Sequence, residues 1–464
     1  MSRLVFAGKR PASFAEVGVR TIKTLIWIYI VLLVTEGALR KWILPELSAP
    51  LLIIRDPVVL LIYVISIAVG IFQRERMLMG VLVLALSFTI VTILDLMFGD
   101  ANLFVSAYGL RTYFLHLPLI FVIGSVFTRS DLDRVAKVLC VIAVPMALLI
   151  LLQFQSGPDH ILNRTSTGEG TQIPSALGRI RPAGTFSFVT GVAQFFALVT
   201  AFVLYGIAYP GKLSRPLLLS GGICLLLSLA VSGSRTTILS SLLVCIAFLS
   251  GCLVKPQLAR HVFRLLLLLC VAAAIAATTE VFHEGLTVMS ARSESASKFE
   301  GQGGLAVRII NTFVGPFLLM ESTPFFGYGA GVGTNVGAQL LTGRVAFLLA
   351  EGDWERTILE VGPLLGTAYL AMRVSIVLWL SWLCVCRTRK GDLLPLLLLG
   401  ACGPVFLNGG FGQATTLGFA CLGTGLCLAA ARGRVSNEHP AGRKLYSRWP
   451  GKHAALLQHA QERS

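Results

Sequence analysis

"LAVSGSRTTILSSLL", residues 229–243, joins two apolar runs through a Ser-Gly-Ser hinge and sets one arginine, Arg235, directly behind it. An arginine at the centre of a membrane helix costs roughly 2.5–3.5 kcal/mol on insertion scales, so a residue of this kind calls for a partner. Outward from the hinge the apolar pattern repeats. Runs of about 20 apolar residues, each long enough to cross a hydrocarbon core of ~30 Å, recur from end to end. The 464 residues are 55% hydrophobic and only 13% charged, with a mean hydropathy of +0.78. A soluble domain carries about 25% charged residues. The fold class expected is therefore all-α, a polytopic membrane bundle of about twelve transmembrane helices. The alternation of an outer-membrane barrel is absent. The basic start "MSRLVFAGKRPASF" lacks the apolar core of a cleavable signal peptide.

The spans are expected near 22–39, 57–72, 77–97, 103–127, 135–154, 187–208, 217–233, 235–253, 265–281, 358–385, 393–407 and 412–430. Alternate connections then hold Arg74, Arg76, Arg129, Arg134, Lys137, Lys212, Arg215, Lys255, Arg260, Arg264, Arg387, Arg389 and Lys390, against Glu75, Asp131, Asp133 and Asp392. That bias is the positive-inside pattern, and it puts both termini in the cytoplasm. The net charge of +16 thus orients the chain, and a nucleic-acid partner is not expected. The organisation reads as a cytoplasmic N-terminus over 1–21, spans one to nine over 22–281 with an external loop at 155–186, a large external loop at 282–356, spans ten to twelve over 357–431, and a basic tail over 432–464. The ten cysteines fall in spans or at cytoplasmic ends, so neither a disulfide framework nor a CxxC metal site is expected.

Polar residues collect at the external face. Arg235 stands where spans seven and eight meet, Arg179 and Arg181 precede span six, and Arg111 lies about two turns into span four. Glu351, Asp353, Glu355 and Arg356 precede span ten. Guanidinium groups gathered at one membrane face suit a phosphate-bearing ligand, because their planar fork gives bidentate, charge-assisted hydrogen bonds. Plainer roles compete: Arg235 as a cap on span seven, Arg179 and Arg181 as interfacial residues, Arg111 paired with Asp95. Within the large loop, 305–320 has helical periodicity but is too short to span, and fits an interfacial or re-entrant helix. "GYGAGVGTN" lacks the Lys-Ser/Thr of a nucleotide loop and fits a turn better than a phosphate nest. Phe325, Phe326, Tyr328 and Trp354 are candidates for sugar stacking or for the interface belt.

Taken together, "RPAGTFSF…GVAQFFALV", "SGSRTTILSSLL", "STPFFGYGAGVG" and "ERTILEVGPLLG", over roughly 180–370, resemble the O-antigen ligase and O-antigen polymerase family. The resemblance implies a bacterial inner-membrane glycosyltransferase of about twelve spans, GT-C-like, with a large periplasmic loop between spans nine and ten. Such enzymes need no metal or other cofactor. They take a glycan from undecaprenyl diphosphate at the periplasmic face and pass it to another sugar. By position, Arg235 and Arg181 would hold the diphosphate, with Arg179, Arg356 and Arg111 as further candidates. Ligases often carry a His-Asn pair nine residues before the Glu of this last segment. Here that Glu is Glu360, and Glu351 and Gly352 stand at the pair's place. A partly buried carboxylate can accept a hydroxyl proton instead, which makes Glu351 the candidate base, with Glu355 and His283 as alternatives.

The departure favours a polymerase of exopolysaccharide or O-antigen repeat units over a ligase acting on lipid A–core. Its expected partners are the bilayer, the lipid-linked oligosaccharide, and chain-length and export proteins. Another class stays open, a transporter or flippase, for which Arg111 and His116 in span four are the best features. A non-catalytic assembly component is the third reading.

Overall fold

The computed structural model describes residues 14–72, 75–99, 101–166, 172–254, 256, 260–299 and 304–433. The ends of the expected N-terminal segment and basic tail, 1–13 and 434–464, lie outside them. The helices run in chain order as α1 Phe14–Ala38, α2 Ser48–Leu51, α3 Asp56–Ala68, α4 Arg76–Phe98, α5 Leu103–Leu110, α6 Leu117–Val126, α7 Arg129–Gln155, α8 Val189–Ala208, α9 Arg215–Val231, α10 Arg235–Val254, α11 Arg260–Ala276, α12 Glu280–Phe299, α13 Gly304–Leu318, α14 Asn335–Thr342, α15 Asp353–Arg389, α16 Leu394–Asn408 and α17 Ala414–Arg432. Among the described residues there is no β-strand, and β structure is limited to isolated bridge residues, with Pro174 paired to Ile180.

Among the described residues, nine helical stretches are long and apolar enough to cross a membrane, and ten if α11 and α12 form one bent span. α9 and α16 are apolar but shorter. The described residues are thus all-helical, and their long apolar helices fit a multi-pass membrane protein. Its outer helices show why hydropathy is so high: Leu60, Val64 and Ile67 of α3 and Val83, Leu86 and Ile90 of α4 are exposed. In water such a face would be a liability, whereas lipid covers it. α8 and α17 form the centre and are buried almost throughout.

The ninth expected span, 265–281, is not one straight helix. The chain bends by 99° between α11 and α12. Thr278 Oγ1 donates to the Ile275 carbonyl at 2.7 Å and Thr279 Oγ1 to that of Ala276 at 2.7 Å, so side chains take over where the helix ladder would continue. Glu280 then opens α12, an acidic residue at the positive end of a helix. α12 folds back until Gly285 touches the end of α9 at Ala230 and Val231. The expected loop at 282–356 is consequently built largely of helix, α12 to α14, and the short helix expected at 305–320 is α13.

α15, at 37 residues, is about 55 Å long and exceeds a membrane's thickness. It breaks at Gly362, whose φ is 80°, followed by Pro363. Proline removes the amide that would bond the Leu359 carbonyl. The glycine-rich turn fills that place: Tyr328 N–H donates to Leu359 O at 2.8 Å and Gly329 N–H to Glu360 O at 3.0 Å. A Cβ at Gly362 would stand 2.0 Å from the Phe325 carbonyl. Gly362→Ala is expected to destabilise the protein by at least about 2 kcal/mol, from the left-handed backbone and the clash together. A thermal melt of the purified protein reads this, and an unchanged midpoint would refute it.

Candidate anion site at the head of α10

The Ser232-Gly233-Ser234 hinge turns the chain sharply between α9 and α10. Gly233 takes φ 55°, and a Cβ there would meet Ser175 Oγ at 2.6 Å and Arg181 Cγ at 3.7 Å. The hinge therefore needs glycine both for its backbone and for the approach of the 173–181 hairpin. That hairpin is closed by Ser175 N–H donating to Arg179 O at 2.7 Å and Arg181 N–H to Ile173 O at 2.9 Å. Residues 179 and 181 lie two apart on one extended arm and so point the same way. Both reach toward α12.

Arg179 donates through Nε to Glu284 at 2.6 Å and through Nη1 to the carbonyls of Phe154 and Gln155. It pins the hairpin to α12 and α7, so this expected diphosphate ligand has partners within the protein. Arg181 has no such carboxylate among the described residues. It stands with Arg235 and Arg292, and burial, then Arg292, then Arg235 hold its guanidinium down at about 10. The Nε atoms of Arg181 and Arg292 and the hydroxyl of Ser175 are buried without hydrogen-bond partners among the described residues. Arg235 opens α10, at the positive end of the helix dipole, which favours an anion over a cation. Buried, unpartnered donors of Arg181, Arg292 and Ser175 beside a further guanidinium group are, among the described residues, an arrangement that suits an oxyanion.

A pH dependence follows. Arg181 loses its proton as the pH rises through about 10, so the affinity for inorganic pyrophosphate is expected to fall there, well below the ordinary arginine range near 12.5. Calorimetric titration at pH 8 and at pH 11 reads the difference. An equal affinity at both would count against Arg181.

The other sequence candidates have internal partners. Arg356 is buried and donates to Asp353 at 2.8 Å and to Glu360 at 3.0 Å. Asp353 also takes Arg373 at 2.5 Å and the Phe411 amide at 3.1 Å, and Glu360 takes Tyr113 Oη at 2.6 Å and Gly333 N–H at 2.8 Å. Two arginines and two carboxylates thus close a neutral buried network, and Arg356 is corrected to a structural role. Arg111 pairs bidentately with Asp56 at 2.7 and 2.8 Å, not with Asp95. Glu351 is exposed just before α15, so the partial burial expected of the base is missing. Glu355 lies against Gly315 of α13, and His283 Nε2 lies 3.0 Å from the Ala277 carbonyl.

Trp354 is buried rather than presented at the surface. It is packed edge-on to Phe313 and Phe317 and donates to the Leu407 carbonyl at 2.8 Å. Phe325, Phe326 and Tyr328 are exposed. The glycine-rich turn directs the amides of Tyr328, Gly329 and Gly333 at protein oxygens, as a turn rather than a phosphate nest does. Sequence reading missed Arg292, which lies in a polar helix with no motif around it. In comparisons with known proteins, no family model and no curated protein matches the chain.

Proposed function

We propose that this protein is an inner-membrane glycosyltransferase of about twelve spans, GT-C-like, that polymerises undecaprenyl diphosphate-linked oligosaccharide repeat units at the periplasmic face. The observation that carries the reading is the convergence of Arg181 and Arg292 on Arg235, with Arg181 Nε, Arg292 Nε and the Ser175 hydroxyl buried and unpartnered among the described residues. A diphosphate supplies both the charge and the acceptors that this arrangement wants. In the reaction a hydroxyl of the acceptor sugar attacks the anomeric carbon of the donor, and the C–O bond to the diphosphate breaks with inversion. The electron pair goes to the diphosphate oxygen, where the arginines stabilise the added charge. The hydroxyl proton passes to a carboxylate, for which Glu351 at the head of α15 is the nominee. Chain-length and export proteins are the partners such a product requires. O-antigen ligation is the neighbouring reading.

A transporter reading draws on one observation of its own, the buried ionisable chain Glu36, Arg55, Asp56 and His116 in the first four membrane stretches. Sizing of lipid-linked glycans separates the readings. In a strain lacking the protein, and in one carrying Arg235→Ala at equal abundance, single lipid-linked repeats should accumulate and long chains vanish. Long lipid-linked chains would instead indicate a ligase. Unchanged periplasmic lipid-linked glycans in both strains would refute the transferase.

A further inference from the structure

A second group of basic side chains lies where α1, α5 and the 181–187 segment meet. Arg40 sits in a π-helical turn, Leu39–Ile43, and Arg111 in another, Arg111–Leu115. Such wide turns inside helices frequently mark functional sites. Each arginine side chain is only 9% exposed. Arg111 gives Nε and Nη2 to Asp56, yet its Nη1 is buried with no partner among the described residues. The hydroxyl of Tyr108 is likewise buried and unpartnered, and the Arg111 guanidinium carbon lies 5.3 Å from its ring centroid. Arg40 lies within electrostatic reach of the same tyrosine.

Among the described residues the local charges do not cancel. Arg40, Arg55 and Arg111 face Glu36 and Asp56, which leaves one positive charge in excess before His116 is considered. Buried groups are paired as a rule, and a buried donor without a partner beside an uncompensated cation is the complement of an oxyanion. We infer that Tyr108, Arg111 and Arg40 form a second anion subsite, which takes the phosphate head of a second polyprenyl diphosphate, the acceptor.

This inference rests on the polymerase reading, and the fold supplies the link between the two sites. Residues 181–187 run from Arg181 to Ser187, whose hydroxyl accepts from Arg40 Nη1 at 3.1 Å. The segment is fixed along its length: Lys41 Nζ donates to the carbonyls of Gly184 and Phe186, and Thr185 Oγ1 to that of Val34. Six residue steps set an upper limit of about 21 Å between its ends. A polymerase needs two lipid-linked diphosphates at once. The attacking hydroxyl lies at the far end of the acceptor's repeat unit, so the acceptor's phosphates must sit away from the donor's, and a rigid strap holds two anion sites apart.

The test uses the full chain in phosphatidylcholine nanodiscs, with geranylgeranyl diphosphate as the probe and native mass spectrometry as the readout. Two bound molecules per chain are expected. Tyr108→Phe removes only an unpartnered hydroxyl, so the fold should melt no lower, while one of the two binding events weakens about tenfold or more. Arg111→Lys, which keeps a charge for Asp56 but loses the second arm of the fork, should weaken the same event. Arg235→Ala should weaken the other event alone. Two undiminished events in both Tyr108→Phe and Arg111→Lys would overturn the subsite, and so would a single event in the unmodified protein that Arg235→Ala abolishes, with the proposed function intact. Two events unaffected by Arg235→Ala would overturn the arginine-cluster reading, while Tyr108→Phe still judges the second subsite. Competition by inorganic pyrophosphate supports a site for the phosphate itself, and its absence supports one that also needs the lipid tail.

Discussion

On the proposed function, Arg235→Ala is expected to lower the rate of chain formation in isolated membranes by a factor of about 10²–10³, the usual effect of removing one preorganised donor from developing negative charge. Arg292→Ala should cost less, about tenfold, because two effects oppose. The variant removes one attraction for the diphosphate, but it also removes the neighbour that weighs most among the charges on Arg181. Arg181 then holds its proton more firmly and partly compensates. Arg235→Lys should fall between the two alanine variants, since a lysine keeps the charge but not the bidentate fork. A structural explanation is open to test: a cation at the head of a helix is unfavourable, so alanine at 235 should not weaken α10 through the dipole. If Arg235→Ala melts markedly lower and loses activity only in proportion to lost protein, the catalytic role fails.

The largest stability effect is expected at Asp353. Its carboxylate accepts from Arg356 Nη2 at 2.8 Å, Arg373 Nη1 at 2.5 Å and the Phe411 amide at 3.1 Å. Arg373 is fully buried, with its other nitrogens on the carbonyls of Phe406 and Gly409. Asp353→Asn keeps the shape but leaves two buried guanidinium groups facing Glu360 alone. Removing one partner of a buried pair costs about 3–5 kcal/mol. Thermal melts should show the loss, and restoring neutrality with a second change, Arg373→Met, should recover part of it. An Asp353→Asn protein as stable as the original would remove this network from the account of what holds α15 to α16.

Hydropathy made the membrane bundle legible because lipid selects side chains span by span. It carries no information on which spans touch. Arg111 was therefore given Asp95, the nearest acid in the adjoining span, whereas packing delivers Asp56 from α3. Asp95 ends beside Gly329 of the glycine-rich turn. The break at Thr278 and Thr279 also escaped, since threonine fits a hydropathy window equally well whether its hydroxyl points outward or caps a helix. Arg356 is a different case. Its carboxylates stand three before and four after it, a spacing that already places all three on one helical face. Arg235 and Arg181 were found because glycine and serine mark a hinge in sequence. Arg292 has no such flag, and only the return of α12 over α9 brings it to them.

The joint at Gly362 and Pro363 bears on how the chain is made. In hydrocarbon a backbone carbonyl without a donor is costly, and Leu359 and Glu360 obtain theirs from Tyr328 and Gly329. Those two residues emerge from the ribosome about thirty positions earlier, on a segment that cannot form these bonds until α15 follows. The upper part of α15 and the turn thus mature as one unit, each the splint of the other. Any movement that pried the turn outward would expose two carbonyls, so the turn and the upper part of α15 are expected to move together or not at all.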